Sequence, residues 1–129
     1  TGQENGFFDR LERLKGFSTE HQSILILKGK YSAVATPAGQ IYFNPSGNPG
    51  MATGGTGDAL TGIVTSLLAQ GYMPEDAAIL GTYIHGRAGD RAAAKLGHTG
   101  MTASDLIEEL PRVFRKLEQK CPNIPKKWC

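Results

Sequence analysis

Residues 47–62, GNPGMATGGTGDALTG, hold six glycines in sixteen positions and set the limits on what this chain can fold into. Glycine inside a helix or strand costs about 0.5–1 kcal/mol relative to alanine, so the run belongs to neither. It reads as a loop feeding a helix. Leu60, Ile63, Val64, Leu67 and Leu68 recur at helical spacing after it, and Gly71 stops them. One acid, Asp58, stands in the first turn of that helix. A turn, an anion cradle and a catalytic site all fit this much.

Around the loop the chain reads as α/β. GFFDRLERLKGF at the start places Phe7, Phe8, Leu11 and Leu14 on one helix face, with Gly16 expected to end it. SILILKG is a short apolar run with β-branched residues, the pattern of a strand buried on both faces. SAVAT and QIYFN, split by Pro37 and Gly39, predict a hairpin. Pro74 opens a further helix, where its missing N–H costs little, and that helix is expected to reach about Leu96. Its alanines, among them Ala77, Ala78, Ala88 and Ala92, predict close helix packing. A last helix is capped by Thr102 or Ser104, with acids early and bases late, and Pro111 is expected to kink or break it. Residues 121–129, with two prolines and no period, read as an irregular tail.

About three strands against four helices, in this order, look like the C-terminal half of a layered α/β domain over residues 1–120. Such a sheet leaves unpaired edges, so strands from upstream or from another chain are expected to complete it, and self-association into a homo-oligomer is one expectation. Composition adds little beyond that. The chain is 40% hydrophobic and 20% charged, as in ordinary globular domains. Its net charge of +2 is uneven, with six basic residues against one acid from Arg112 onward. That reads as a solvated basic tail and not as a nucleic-acid surface. No stretch approaches the ~20 apolar residues of a membrane span, and no signal pattern opens the sequence. Cys121 and Cys129 have no zinc-site spacing and make no disulfide framework, so a reducing cytoplasm is the expected compartment.

Gly54, Gly55 and Gly57 precede the unpaired N–H groups of a helix start, where a phosphate can approach without meeting a Cβ. The spacing is neither that of a Walker A loop nor that of a Rossmann fingerprint. Asp58 complements the helix dipole or, beside a bound polyphosphate, serves as a general base on an attacking hydroxyl. Lys28 and Lys30 follow the first strand at its C-terminal end, where open α/β sheets bind ligands, or are ordinary solvated lysines. His85 reads as a satisfied core or interface histidine, Arg87 and Asp90 as a solvated or interhelical face, and His21 and His98 have no partner visible in sequence.

Residues 44–62, N-x-S-G-N-P-G-M-A-T-G-G-T-G-D-x-L-T-G, closely resemble the signature of the nucleotide-dependent NAD(P)H-hydrate dehydratases of the ribokinase-like superfamily. The similarity begins at LKGKYSAVATPAG, continues through HGRAGDRAA and MTASDLIEELP, and covers residues 27–111. GTGD is shared among many ribokinase-like kinases, whereas NPGMATGG is the more specific part. The resemblance implies a ribokinase-like fold and a lyase that repairs hydrated NADH or NADPH (NADHX, NADPHX). ATP or ADP phosphorylates the added hydroxyl, whose departure as phosphate restores the cofactor. By position it implies nucleotide contacts at Lys28, Gly29, Lys30, Tyr31, Ser32 and Gly57, beside the cradle of Gly54, Gly55 and Thr56. It implies substrate contacts at Asn48 and Asp58, with Asp58 as the base, and Mg²⁺ without a named protein ligand. Ser32 stands where the family more often has threonine, which keeps the hydroxyl. Family domains are considerably longer, and their preceding half supplies sheet strands and part of the substrate pocket. An ATP-dependent kinase of a small sugar, thiazole or pyrimidine alcohol is the alternative enzyme, and a nucleotide-binding fragment without catalysis is the alternative of another class.

Overall fold

A computed structural model describes residues 6–29 and 31–120; Lys30 and the expected tail at 121–129 lie outside them. The first helix, α1 (Gly6–His21), runs through Gly16 instead of ending there. Gly16 has open space around it and no left-handed φ, so nothing at that point turns the chain. The reversal comes at Gln22, with φ 50°, and its side-chain amide donates to the Thr19 carbonyl at 2.7 Å. Leu11 is buried as expected, but Phe7 and Phe8 on the same helix are exposed. Phe17 lies 4.0 Å from His21, ring centre to ring centre, which gives that histidine a partner.

Strands β1 (Leu25–Leu27), β2 (Ala33–Ala35) and β3 (Ile41–Phe43) form an antiparallel meander in that order, with Val34 opposite both Ile26 and Tyr42. Gly39 turns the expected hairpin at φ 81°, and Thr36 N–H donates to the Gln40 carbonyl at 2.9 Å. Burial differs from expectation. β1 is half-buried along its length and β2 is buried throughout. Among the described residues β1 has a single neighbour and sits at an edge, whereas β2 lies between two strands and carries the small Ala-Val-Ala that such enclosure admits.

A short 3₁₀ turn, Pro49–Met51, leads to α2 (Thr56–Ala69), α3 (Pro74–Gly100) and α4 (Ala103–Lys120). Gly71, at φ 90°, closes α2 by donating to the Leu68 carbonyl at 2.9 Å, and Tyr72 N–H reaches back to Leu67 at 3.1 Å. Regular helix in α3 is interrupted at Gly97 (φ 77°, ψ 165°), next to the expected end at Leu96. Thr102 and Asp105 cap α4 reciprocally: Thr102 N–H donates to Asp105 Oδ2 at 2.7 Å, and Asp105 N–H donates to Thr102 Oγ1 at 3.4 Å. Pro111 does not break α4. It deprives the Ile107 carbonyl of an intrahelical donor, but Ile107 is 48% exposed, so water can replace it, while Leu106 and Val113 hold the helix on the core.

α3 packs against α2, α4 and the 3₁₀ turn around a core that includes Ile63, Leu67, Ile84, Met101 and Leu106. The close packing expected of its small residues is present. A Cβ on Gly81 would lie 2.7 Å from the Val64 side chain, and one on Gly86 or Gly89 would overlap Ser46 or Met51. No helix among the described residues is long and apolar enough to cross a membrane.

One carboxylate is enclosed between α3 and α4. Glu109 is buried and pairs with Arg91 Nε at 2.8 Å, Arg112 at 3.0 Å and the Lys95 ammonium. The Lys95 hydrogen bond, helped by Arg91 and Arg112, holds its carboxyl below the usual range against the opposing effect of burial. A lowered carboxyl stabilises the fold fully above the ordinary glutamate value of about 4.3, and the gain disappears as pH falls through the lowered value. Glu109→Gln is therefore expected to cost about 1–3 kcal/mol at neutral pH in urea denaturation. The gap to the unmodified chain should close on acidification, and a gap that persists near pH 2 would contradict this account.

Candidate active site

Gly55 opens α2 in the left-handed region, at φ 88° and ψ −16°, and offers no side-chain acceptor to the first amides of the helix. A Cβ there would be 3.1 Å from Ala103 Cβ on an already strained backbone, so the turn requires glycine. The helix start thus keeps donors that an anion can take.

Thr56, the first residue of α2, is fully buried. Its Oγ1 lies 2.7 Å from the Met51 carbonyl and 2.9 Å from that of Thr53, and accepts from Lys28 Nζ at 2.9 Å. Its own carbonyl is 2.8 Å from His85 Nε2. A carbonyl can only accept, so Nε2 carries the proton. His85 is the satisfied core histidine that the sequence indicated, 3% exposed. Burial lowers its pKa, the bond to Thr56 partly opposes this, and the charge of Lys28 adds to the lowering, so the ring is neutral at pH 7.

The loop before the 3₁₀ turn is braced by its own polar side chains and by α3. Asn44 Oδ1 accepts from Ser46 Oγ at 2.8 Å, and Asn44 Nδ2 donates to the Thr82 carbonyl at 2.9 Å. Asn48 Oδ1 accepts from Gly50 N–H at 3.0 Å. Asp90 does not lie on a solvated or interhelical face as expected. It is half-buried and accepts from Gly47 N–H at 3.1 Å and from Asn48 Nδ2 at 2.9 Å. Sequence spacing gave no sign of this, because both partners lie more than forty residues away. Gly50 is needed for close approach, since a Cβ would come within 2.7 Å of the His98 carbonyl.

Two hollows flank the start of α2. One, of about 520 Å³, is lined by Lys28, Gly29, Ser32, Asn48, Met51 and His85 among others, and among the described residues Lys28 is the only charged one in its lining. The other, of about 470 Å³, is lined by Gly55 and Asp58 with Ile107, Leu110 and Phe114 of α4. A Cβ on Gly57 would face Lys28 Nζ at 3.7 Å. The structure therefore gathers Lys28, Gly29, Ser32 and Asn48 about one hollow, with Thr56 bonded to Lys28 behind it, and turns Asp58 toward the other; Gly57 lines a further hollow of about 340 Å³, on the side of Lys28 that meets Ile26, Leu60 and Thr61. Gly54 has open space around it, Tyr31 is exposed and lines neither hollow, and Lys30 lies outside the described residues.

A family profile described as NAD(P)H-hydrate dehydratase, of the carbohydrate-kinase type, matches residues 6–112. The chain belongs to this family. It is 51% identical over 116 residues to the bifunctional NAD(P)H-hydrate repair enzyme Nnr of Moorella thermoacetica, covering 90% of this chain and 22% of that protein. To the ADP-dependent (S)-NAD(P)H-hydrate dehydratase of Bacillus subtilis it is 33% identical, covering 84% and 40%. The crystal structure of ADP/ATP-dependent NAD(P)H-hydrate dehydratase from Bacillus subtilis, co-crystallised with ATP/Mg²⁺, superposes with a TM-score of 0.80 at 32% identity, over 86% of this chain and 40% of that one. A ribokinase-like superfamily protein from Enterococcus faecalis superposes with a TM-score of 0.66 at 34% identity, over 79% and 35%. The fold is thus ribokinase-like α/β, and the chain spans between a fifth and about two fifths of the length of these relatives.

The brace on the loop can be tested directly. Asp90→Ala leaves Gly47 N–H and Asn48 Nδ2 without their acceptor and is expected to cost about 1–3 kcal/mol in chemical denaturation. A loss of only a few tenths would show that the loop is held by other contacts.

Proposed function

We propose that this chain carries the nucleotide-phosphate seat and the base of a lyase that uses ATP or ADP to dehydrate NADHX or NADPHX. One observation carries the proposal beyond family membership. Lys28 and Asp58 stand on different sides of the same glycine-entered helix start. Transfer of a phosphoryl group to a hydroxyl needs a cationic seat for the phosphates and a separate acceptor for the hydroxyl proton.

In this reading Lys28, the amides at the start of α2 and the backbone at Gly57 bind the phosphate chain, with Gly29 and Ser32 beside it. Gly54 leaves the approach open, Tyr31 extends the nucleotide contact toward solvent, and Lys30 is assigned to that contact from its place in the sequence alone. Asp58 orients the hydroxyl of the hydrated nicotinamide and takes its proton as the oxygen bonds to phosphorus. Asn48 adds a substrate contact through the braced loop. Bound nucleotide supplies the phosphoryl group, and departure of phosphate with loss of an adjacent ring proton removes the elements of water. Mg²⁺ bound together with the nucleotide would supply positive charge to the transferring phosphoryl group; the described residues hold no cluster of three or more His, Cys, Asp or Glu side chains for a metal ion.

The test is recovery of NADH absorbance from hydrated NADH with Mg²⁺ and ATP or ADP. Asp58→Asn is expected to lower turnover by about 10²–10⁴-fold while nucleotide affinity stays within a few-fold. Gly57→Val should do the reverse, weakening nucleotide binding by placing a branched side chain against Lys28 Nζ. Phosphorylation of a small alcohol without NADH recovery would replace the dehydratase with a kinase. Nucleotide binding without turnover would make the chain a binding fragment.

A further inference from the structure

We propose that His85 is a positioning residue of the phosphate seat and takes up a proton when an oligophosphate fills the hollow beside Lys28; the inference rests on the nucleotide reading above. His85 touches the seat at one remove. Its Nε2–H holds the Thr56 carbonyl at 2.8 Å, and the hydroxyl of the same Thr56 holds Lys28 Nζ at 2.9 Å. The ring also lines the hollow directly. It therefore fixes the first residue of α2 and senses whatever charge occupies the space in front of it.

The charges around the ring are few. From the end of β1 comes Lys28. The loop presents Asn44, Ser46, Asn48 and Met51, none of them ionisable. α2 presents Thr56, and its nearest acid, Asp58, lines the other hollow. On α3 itself, Arg87 lines a separate groove with Arg91 and Lys116, and Asp90 is tied to Gly47 and Asn48. Among the described residues, then, one cation and no carboxylate share the hollow with His85. An empty hollow keeps the ring neutral.

Several phosphate charges beside Lys28 reverse the local field and favour the imidazolium. The second proton goes to Nδ1, because Nε2 already carries one. The bond to Thr56 survives in both states, so protonation does not loosen the seat. By reciprocity, whatever factor the ligand adds to the ring's proton affinity, the proton adds to the ligand's. Nucleotide affinity should therefore rise as pH falls through the neutral range.

The experiment is a pH titration of the histidine ring signals of this 129-residue chain by NMR, with and without saturating Mg·ATP. The chain has three histidines, and His85 is identified by the signal that His85→Gln removes. That signal is expected to titrate below the ordinary histidine value in the free chain and about one unit higher or more with Mg·ATP bound. In calorimetry, Mg·ATP affinity should increase by about 2-fold or more from pH 8 to pH 6 beyond any change in His85→Gln, whose amide still donates to Thr56. His85→Leu, without that donor, should bind more weakly at every pH. A His85 signal unmoved by bound ATP, or the same pH dependence in His85→Gln, overturns the inference and leaves the nucleotide reading standing. Absence of ATP binding by the unmodified chain at any pH overturns both. If circular dichroism finds His85→Gln unfolded, assignment by sequential NMR lets the unmodified chain's titration decide.

Discussion

The site is assembled on Thr56. Its hydroxyl and carbonyl join the end of β1 through Lys28, the glycine loop through the Met51 and Thr53 carbonyls, and α3 through His85. A single hydrogen bond of this kind contributes about 0.5–1.5 kcal/mol net, so none of them holds the fold alone. Leaving a buried group unpaired costs about 1–3 kcal/mol, and that asymmetry makes the arrangement specific. Among the described residues every buried side-chain nitrogen and oxygen has a partner. Displacing Thr56 would orphan groups on three segments at once.

That polar junction is possible because α3 presents so little side chain to it. At Gly86 and Gly89 the helix admits Ser46 and Met51 where any Cβ would overlap them, and at Gly81 it admits Val64 of α2. With the backbones so close, the loop can bond to helix carbonyls. Asn44 reaches that of Thr82 at 2.9 Å, and Ser46 Oγ reaches that of Tyr83 at 3.1 Å. Small residues on a core helix are thus the packing condition for a loop that is polar, glycine-rich and still hydrogen-bonded to the helix beneath it. The apolar face of the same helix, Ile84 with Ala88 and Ala92, supplies the burial that polar contacts cannot.

Features that depend on neighbouring residues were legible in the sequence. Pro74 starts α3, Gly71 ends α2, Thr102 caps α4 and Gly39 turns the hairpin, because each acts through its own φ or its own hydrogen bond. The glycine turn into α2 and the place of Asp58 in the first turn of that helix were legible for the same reason. Features decided by distant packing were not. Gly16 was free to remain helical because no part of the fold required a turn there, and Pro111 was tolerated in a helix that Leu106 and Val113 hold on the core. β1 has the composition of a buried strand, yet its burial depends on how many neighbours pair with it. Asp90 was missed because its partners are in the loop and not along its own helix.

What sequence could least convey is that consecutive residues serve different hollows. Successive positions on an α-helix point about 100° apart, so Gly57 faces Lys28 while Asp58 faces α4. Electrostatics gives this division its value. Two unit charges 4 Å apart at a protein surface interact by about 4 kcal/mol, so a carboxylate inside the Lys28 hollow would oppose each phosphate charge by that order. Held one residue further round the helix, the same carboxylate stays in the first turn of α2 without lining the hollow that holds Lys28. It fronts a wall of Ile107, Leu110 and Phe114, a surface suited to a flat, weakly polar ring and not to an anion. The glycine before the acid leaves the Lys28 side of the helix start uncovered: a Cβ at 57 would lie 3.7 Å from the ammonium, in ordinary contact with it, and every atom beyond that Cβ would narrow the space between them.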